Sequence, residues 1–211
     1  MDIPLPLSKL ALHLVNRDDK DKKYVVLVAT GSFNPPTYMH LRMFELARDA
    51  LNSEGFCVIG GYMSPVNDAY NKKGLISAEH RIQLCDLACQ SSEFITVDPW
   101  ENLLSACLCV ALIYSTLLAL LEFGLLNRYV CQRHMQRLWC GLHPQGGQDL
   151  DKIISNDEIL KENRGNIRIV DELVPNQISS TRIRDCISRG LSIKYLTADE
   201  VIDYIRDIIS T

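Results

Sequence analysis

Apolar and polar positions switch between two periods along this chain. Tyr24-Val25-Val26-Leu27-Val28-Ala29 is an unbroken apolar run of strand length, the pattern of a parallel strand covered on both faces. Leu41-Arg42-Met43-Phe44-Glu45-Leu46-Ala47 then takes the helical period and predicts an amphipathic helix over about 39–52. Phe56 to Met63 predicts a second strand, about 78–91 a second helix with Ser77 as its cap, and Phe94 to Asp98 a third strand. Further on, Ile167-Arg168-Ile169-Val170 reads as a strand, and Ser179 to Arg189 and Ala198 to Ile208 read as helices. Strands alternating with helices predict an α/β fold, a doubly wound parallel sheet with the 24–29 strand central. Residues 1–23 form a polar leader ending in Asp18-Asp19-Lys20-Asp21-Lys22-Lys23, expected to be a mobile arm, and 24–211 is expected to be one domain. No internal repeat is present.

One stretch breaks the pattern: Leu103 to Leu121 carries no charge and by length and apolarity qualifies as a membrane span. The rest of the chain reads differently. Its 211 residues suffice for one α/β domain with a good core, and 47% hydrophobic against 23% charged content is ordinary for a globule. A formal net charge of −4 removes the electrostatic case for nucleic acid, so local basic residues must supply any anion site. The eight cysteines include no CxxC and no zinc-like partner pair, and read as reduced thiols. Met1-Asp2-Ile3-Pro4 lacks the basic-then-apolar start of a signal peptide. An intracellular location, cytoplasmic or nuclear, is the expectation.

The sharpest chemistry lies in Gly31-Ser32-Phe33-Asn34-Pro35-Pro36-Thr37-Tyr38-Met39-His40-Leu41. A glycine and two prolines fix the turn between the predicted strand and helix. This unit delivers backbone N–H groups, a hydroxyl and His40 to a helix N-terminus, where phosphate binds well. Thr37-Tyr38-Met39-His40 alone reads as a capped helix with an incidental histidine; the whole undecapeptide after a strand outweighs that. Near the other end, Ile178-Ser179-Ser180-Thr181-Arg182-Ile183-Arg184 enters a helix with three hydroxyls and two arginines. That set suits a triphosphate, and by itself equally suits an N-capped surface helix. Lys72 and Lys73 follow Ser64 to Tyr70 in a turn, where lysines are usually only solvated. Trp100 follows Val97-Asp98-Pro99 and by sequence alone is equally a core tryptophan.

In this order, the segments resemble the nucleotidylyltransferases. The first is similar to their (H/T)-x-G-H signature, with Met39 where many members have glycine. Gly-Ser-Phe-Asn-Pro-x-Thr-x-x-His-Leu is the form of eukaryotic nicotinamide mononucleotide adenylyltransferases, and the second segment resembles their C-terminal ISSTxIR motif. The resemblance is close over about 24–101 and 148–208. It implies a Rossmann-like doubly wound parallel sheet of the nucleotidylyltransferase type, here with its central segment disrupted. It implies transfer of AMP from ATP to nicotinamide or nicotinate mononucleotide, with pyrophosphate leaving. Catalytic roles fall on His40, Arg182 and Arg184. ATP contacts fall on Gly31, Ser32, Phe33, His40, Ser179, Ser180, Thr181 and Arg182. Mononucleotide contacts fall on Lys72, on Trp100 stacked on the nicotinamide ring, and on Asn176. Mg²⁺ is implied on phosphate oxygens, with no protein metal ligands. A homo-oligomer is expected, with neither nucleic acid nor membrane as partner.

Between 102 and 147 the resemblance fails, because the family has there a strand, a Gly-Ser/Ala-Asp-Leu-Leu motif, a tryptophan and a further strand. Back-translation offers a reason. Phe123-Gly124 must be encoded TTY-GGN, so one shifted frame reads YGG, tryptophan or arginine; in that frame Ala106 to Arg128 can be read to contain Gly-Ser-Asp-Leu-Leu followed by Gly-Val-Trp-Ile-Pro-Glu. In the other shifted frame His134 to Gly147 can be read as Ile-Cys-Arg-Asp-Tyr-Gly-Val-Val-Cys-Ile-Arg-Arg-Glu-Gly, and the normal frame resumes at Gln148. The expectation is a frame-shifted or misassembled coding segment, which would also account for the leucine run. Two other readings stay open: another nucleotidylyltransferase, such as a pantetheine-phosphate adenylyltransferase, and an inactive membrane-associated or partner-binding remnant. Trp100 and the Ser64–Gly74 loop favour the mononucleotide enzyme, while the apolar run favours the remnant.

Overall fold

The computed structural model describes residues 5–16, 22–70, 72–99, 139–142, 164, 167–170, 174 and 176–210. Trp100 and the leucine run lie outside the described residues. In chain order the elements are β1 (Lys23–Gly31), α1 (Tyr38–Ser53), β2 (Phe56–Pro65), α2 (Ala78–Cys89), β3 (Ile95–Val97), β4 (Trp139–Leu142), β5 (Ile167–Val170), α3 (Ser180–Ser188) and α4 (Asp199–Ser210). Single 3-10 turns occur at Leu12–Leu14 and Asp68–Tyr70.

β1, β2 and β3 form a parallel sheet in that order, and β4 pairs in parallel with β5. The α/β parallel architecture is thus as the alternating pattern implies. Among the described residues β2 is the middle strand of the three; the central place expected for the 24–29 strand depends on residues outside them. Two successive crossovers of one hand, through α1 and α2, add each new strand outside the last. Within the 102–147 stretch, expected to be disrupted, Trp139–Leu142 pairs in parallel with Ile167–Val170.

One face of the sheet carries α1 and α2. Phe44 and Leu51 of α1 and Cys85 and Cys89 of α2 close over Leu27, Met63, Ile95 and Val97. α1 approaches the sheet closely at Gly61, where an added Cβ would lie 2.8 Å from the Phe44 ring. Ser77 stands at the N-cap of α2 but makes no side-chain cap bond. The Asp68 carboxylate accepts the Ala78 N–H instead, which lowers its pKa, helped by Arg81 and opposed by desolvation. Val201 of α4 and the preceding Ala198 pack on Leu84 and Ala88 of α2, and Ile202 of α4 with Ile193 of the connecting segment packs on Ile183 of α3.

The other face holds the main departure. The leader was expected as a mobile arm, yet residues 5–16 lie across the sheet. Leu10 is buried with Val26, Ile59 and Tyr62, and Leu5 and Leu7 pack beside it. Ala11 N–H donates to Ile59 O at 2.8 Å, the Tyr62 hydroxyl to Pro6 O at 2.7 Å, and Lys9 Nζ to Cys89 O at 2.7 Å. The last contact places a cation on the C-terminal carbonyls of α2, where the helix dipole favours it. The physical cause is general: a parallel sheet presents an apolar surface on both faces, and something apolar must cover each. Among the described residues no helix is long and apolar enough to cross a membrane, and Cys57, Cys85, Cys89 and Cys186 are free thiols.

The strap lies so close to β2 that a Cβ added at Gly60 would sit 2.1 Å from Leu10 Cδ2. Gly60→Ala is therefore expected to destabilise by about 1–3 kcal/mol through overpacking, and Leu10→Ala by about 2 kcal/mol through lost burial. The double variant should cost clearly less than the sum, because the smaller side chain makes room for the new methyl. Urea unfolding of the four proteins measures this; simple additivity would mean that Leu10 does not lie over Gly60.

Candidate active site

The loop between β1 and α1 is shaped from within. Phe33 is buried and takes φ +40, a left-handed conformation rare for an aromatic residue. Its ring lies over Gly31, where an added Cβ would be 3.2 Å from Phe33 Cζ, and meets the His40 ring edge to face at 5.1 Å between centroids. Thr37 caps α1 reciprocally with His40. The His40 N–H reaches Thr37 Oγ1 at 3.4 Å, and the Thr37 N–H donates to His40 Nδ1 at 2.9 Å. This is a capping box with histidine in the place usually held by Glu or Gln.

That bond determines the chemistry of His40. A backbone N–H can only donate, so Nδ1 must be the acceptor and the neutral ring carries its proton on Nε2. Burial lowers the His40 pKa from 6.5 to about 4, so the ring is neutral at physiological pH. His40 is thus a fixed, uncharged Nε2–H donor at the N-terminus of a helix.

Three successive loop carbonyls are held by the C-terminal part of the chain. Asn34 O accepts from Arg184 Nη1 at 2.7 Å, Pro35 O from the Ser180 hydroxyl at 2.7 Å, and Pro36 O from the Thr197 hydroxyl at 2.9 Å. Tyr38 N–H donates to Leu196 O at 3.1 Å. The Ser179 hydroxyl caps α3 by accepting the Arg182 N–H at 3.3 Å, and Thr181 Oγ1 accepts from Arg184 Nη2 at 3.3 Å. The expectation of three hydroxyls and two arginines turned to a ligand is therefore corrected in part. The hydroxyl proton of Ser180 and one Nη of Arg184 are committed to the loop, because its buried carbonyls need donors. Arg182 is exposed, its guanidinium bonded to Gln177 Oε1.

Lys72 is exposed and its Nζ lies 3.3 Å from Ser32 Oγ. Asn176 donates from Nδ2 to Met39 Sδ at 2.9 Å and accepts the Ile178 N–H at 3.1 Å, so it sits beside the start of α1. Gly31, Ser32, Phe33, His40, Lys72, Asn176 and Ser179 to Arg184 thus surround one loop; Trp100 lies outside the described residues. Sequence reasoning missed Arg81, which reaches Ser32 O from inside the core, and Asn34, whose Nδ2 donates to Gly74 O at 2.8 Å. The signal for Arg81 was present: it stands on the helical face of Leu84, Cys85 and Ala88, all buried. Among the described residues, no three His, Cys, Asp or Glu side chains come together to hold a metal ion.

The family model of cytidylyltransferase-like proteins matches residues 28–186. The chain is 51% identical to the nicotinamide/nicotinic acid mononucleotide adenylyltransferase of Arabidopsis thaliana, over 98% of this chain and 96% of that one. It is 48% identical to the rice protein of the same name, over 97% and 92%. The Arabidopsis alignment runs to 239 positions against 211 residues here, so that relative has residues with no counterpart in this chain. A solved structure from Vibrio parahaemolyticus, assigned as a nicotinate-nucleotide adenylyltransferase, is similar at TM-score 0.50 and 15% identity, over 85% of this chain and 96% of that one; it supports the fold. With its signature loop, capping histidine and latching helix in place, the chain belongs to the cytidylyltransferase-like family and, within it, to the nicotinamide/nicotinic acid mononucleotide adenylyltransferases.

Proposed function

We propose that the protein transfers AMP from ATP to nicotinamide or nicotinic acid mononucleotide, releasing pyrophosphate and forming the dinucleotide. The observation that carries this reading is the place of His40 at the start of α1, where Nδ1 accepts the Thr37 N–H and Nε2 is left to donate. A mononucleotide phosphate oxygen attacks the α-phosphorus of ATP, a new P–O bond forms, and the bond from α-phosphorus to the bridging oxygen breaks. The phosphate nucleophile is ionised at neutral pH and needs no base. Alignment and charge stabilisation supply the acceleration. Mg²⁺ enters with ATP as part of the substrate, on its phosphate oxygens.

In this reading His40 donates to the α-phosphate region as negative charge builds there. Gly31, Ser32 and Phe33 line the loop around the triphosphate. Arg182, at the exposed start of α3, is the cation available to the leaving pyrophosphate, with Thr181 beside it. Ser179, Ser180 and Arg184 keep the loop and helix in register. Lys72 and Asn176 serve the mononucleotide, joined by Trp100. A neutral donor suits the α-phosphate, since it binds developing charge without gripping the ground-state anion as a full cation would.

Residues 102–147 bear on turnover. We propose that this stretch is a frame-shifted or misassembled coding segment, in keeping with a relative that has residues this chain lacks. Dinucleotide formation would be measured with Mg–ATP and each mononucleotide for two proteins: this chain, and one carrying the shifted-frame reading. The second should turn over much faster, since a misplacement of about 1 Å can already cost ~10²-fold. Equal, robust rates would show the present segment to be a competent variant. In the more active protein, His40→Ala should lower kcat by about 10²–10³-fold; unchanged turnover removes His40 from the mechanism.

The state of His40 gives a separate expectation. Its folded pKa lies below its unfolded value, so the unfolded chain binds the proton first as pH falls. Its contribution to stability is therefore complete above about pH 6.5 and is lost as the pH falls toward 4. The loss is on the order of 3 kcal/mol, at 1.36 kcal/mol per pKa unit. NMR of the ring carbons should show His40 still neutral at pH 5.5; a midpoint near 6.5 would contradict the buried, Thr37-bonded ring.

A further inference from the structure

Arg81 stands on the face of α2 that enters the core, and its side chain is 0% exposed. A guanidinium removed from water is costly unless its N–H groups are bonded. This one is bonded in three directions. Nε donates to Ile76 O at 2.9 Å, Nη2 to Asp68 Oδ1 at 2.8 Å, and Nη1 to Ser32 O at 3.4 Å. Asp68 and Ile76 flank the turn that carries Lys72, and Ser32 opens the loop that carries His40. Lys72 Nζ reaches Ser32 Oγ across the same gap from the solvent side. The two loops are joined further by Val66 N–H on Gly31 O at 3.0 Å and Asn34 Nδ2 on Gly74 O.

We propose that Arg81 is a positioning residue for adenylyl transfer. By binding both loops from inside the core, it sets the place of Lys72 relative to Ser32 and His40. It thereby sets the mononucleotide phosphate relative to the α-phosphate of ATP. The proposal rests on the adenylyl-transfer reading of the site. Arg81 itself is too deeply buried to touch either substrate. Only a planar fork serves this position, since it points three N–H directions from one charge, whereas a lysine ammonium is a point charge on a flexible stem.

Arg81→Lys in the full chain keeps the charge and gives up the fork. With Mg–ATP and nicotinamide mononucleotide, kcat is expected to fall about 10²-fold, the effect of a displacement near 1 Å, while each KM changes only a few-fold. Lys72→Ala should cost several-fold less in the Arg81→Lys background than in the parent, because Arg81 acts through the placing of Lys72. Full kcat in Arg81→Lys, or independent effects of the two substitutions, overturns the proposal.

Amide hydrogen exchange of the ligand-free protein keeps this separate from the reaction itself. Exchange at 31–37 and 66–76 should rise together in Arg81→Lys while β1 and β2 keep their protection. Unchanged exchange in the two loops overturns the proposal, whatever the activity. If neither this chain nor the one carrying the shifted-frame reading makes dinucleotide, the reaction is overturned, and exchange then decides on Arg81. Should Arg81→Lys fail to fold, Asp68→Asn decides in its place. Its side chain is 56% exposed, and it should show the same paired rise in exchange and the same dependence on Lys72.

Discussion

The site depends on how the carbonyls of Asn34, Pro35 and Pro36 find donors. The loop is buried, and its two prolines bring carbonyls with no N–H of their own, so it cannot satisfy itself by pairing with a strand. Arg184, Ser180 and Thr197 supply the donors from nearly the far end of the chain. A buried carbonyl left without a donor costs about 1–3 kcal/mol, so three in succession are a substantial fraction of the stability of a domain. The loop's shape is therefore a property of the whole fold. The loop between β1 and α1 and the helix that holds its carbonyls can form only together.

This arrangement separates fixed groups from adaptable ones. His40 is neutral, tied at Nδ1, and braced by the Phe33 ring, so its free donor points one way at little cost in entropy. Ser180 and Arg184 are spent on the loop. Arg182 and Lys72 are exposed and long, and under the proposed reaction they would follow a phosphate that moves as pyrophosphate departs. Rigid donors beside flexible cations are what the proposed reaction, dominated by alignment, would require. Arg81 belongs to the rigid group, although it carries a full charge, because burial and three acceptors leave it no freedom.

How much of this was legible in the sequence depended on whether the signal was local. β1, α1 and the cap on α1 are written in contiguous residues: an apolar run, a turn fixed by glycine and proline, and Thr37 three residues before His40. β5, α3 and α4 likewise follow from period and cap. What escaped was decided by distant partners. The hydroxyls of Ser179, Ser180 and Thr181 look alike in sequence, and only the tertiary acceptor shows that Ser180 is used by Pro35. Arg81 drew no reading from the sequence, although its alignment with Leu84, Cys85 and Ala88 put it on the buried face of α2. The leader was misread because the charged run from Asp18 to Lys23 dominated it, while Leu5, Leu7 and Leu10 before it already carried an apolar pattern.

That leader also shows how an extended segment can do the work of a helix layer. Among its described residues the backbone bonds β2 through Ala11 and Ile59, and side chains add to the hold. Leu10 fills the space over Gly60, and Tyr62 fastens the segment by donating to Pro6. Burial, with the nearby charge of Asp98 adding to it, pushes the Tyr62 phenol well above its usual range. The hydroxyl therefore keeps its proton at neutral pH, and remains a donor to Pro6. The same Asp98 carboxylate lies 3.3 Å from the Ser64 hydroxyl, at the C-terminal end of β2, where the strand passes into the loop that carries Lys72. Strap and Lys72 loop thus meet the same middle strand, the strap at Ile59 and Tyr62 and the loop just past Ser64. Loosening the leader should be felt at the site through β2, without any contact between the leader and a ligand.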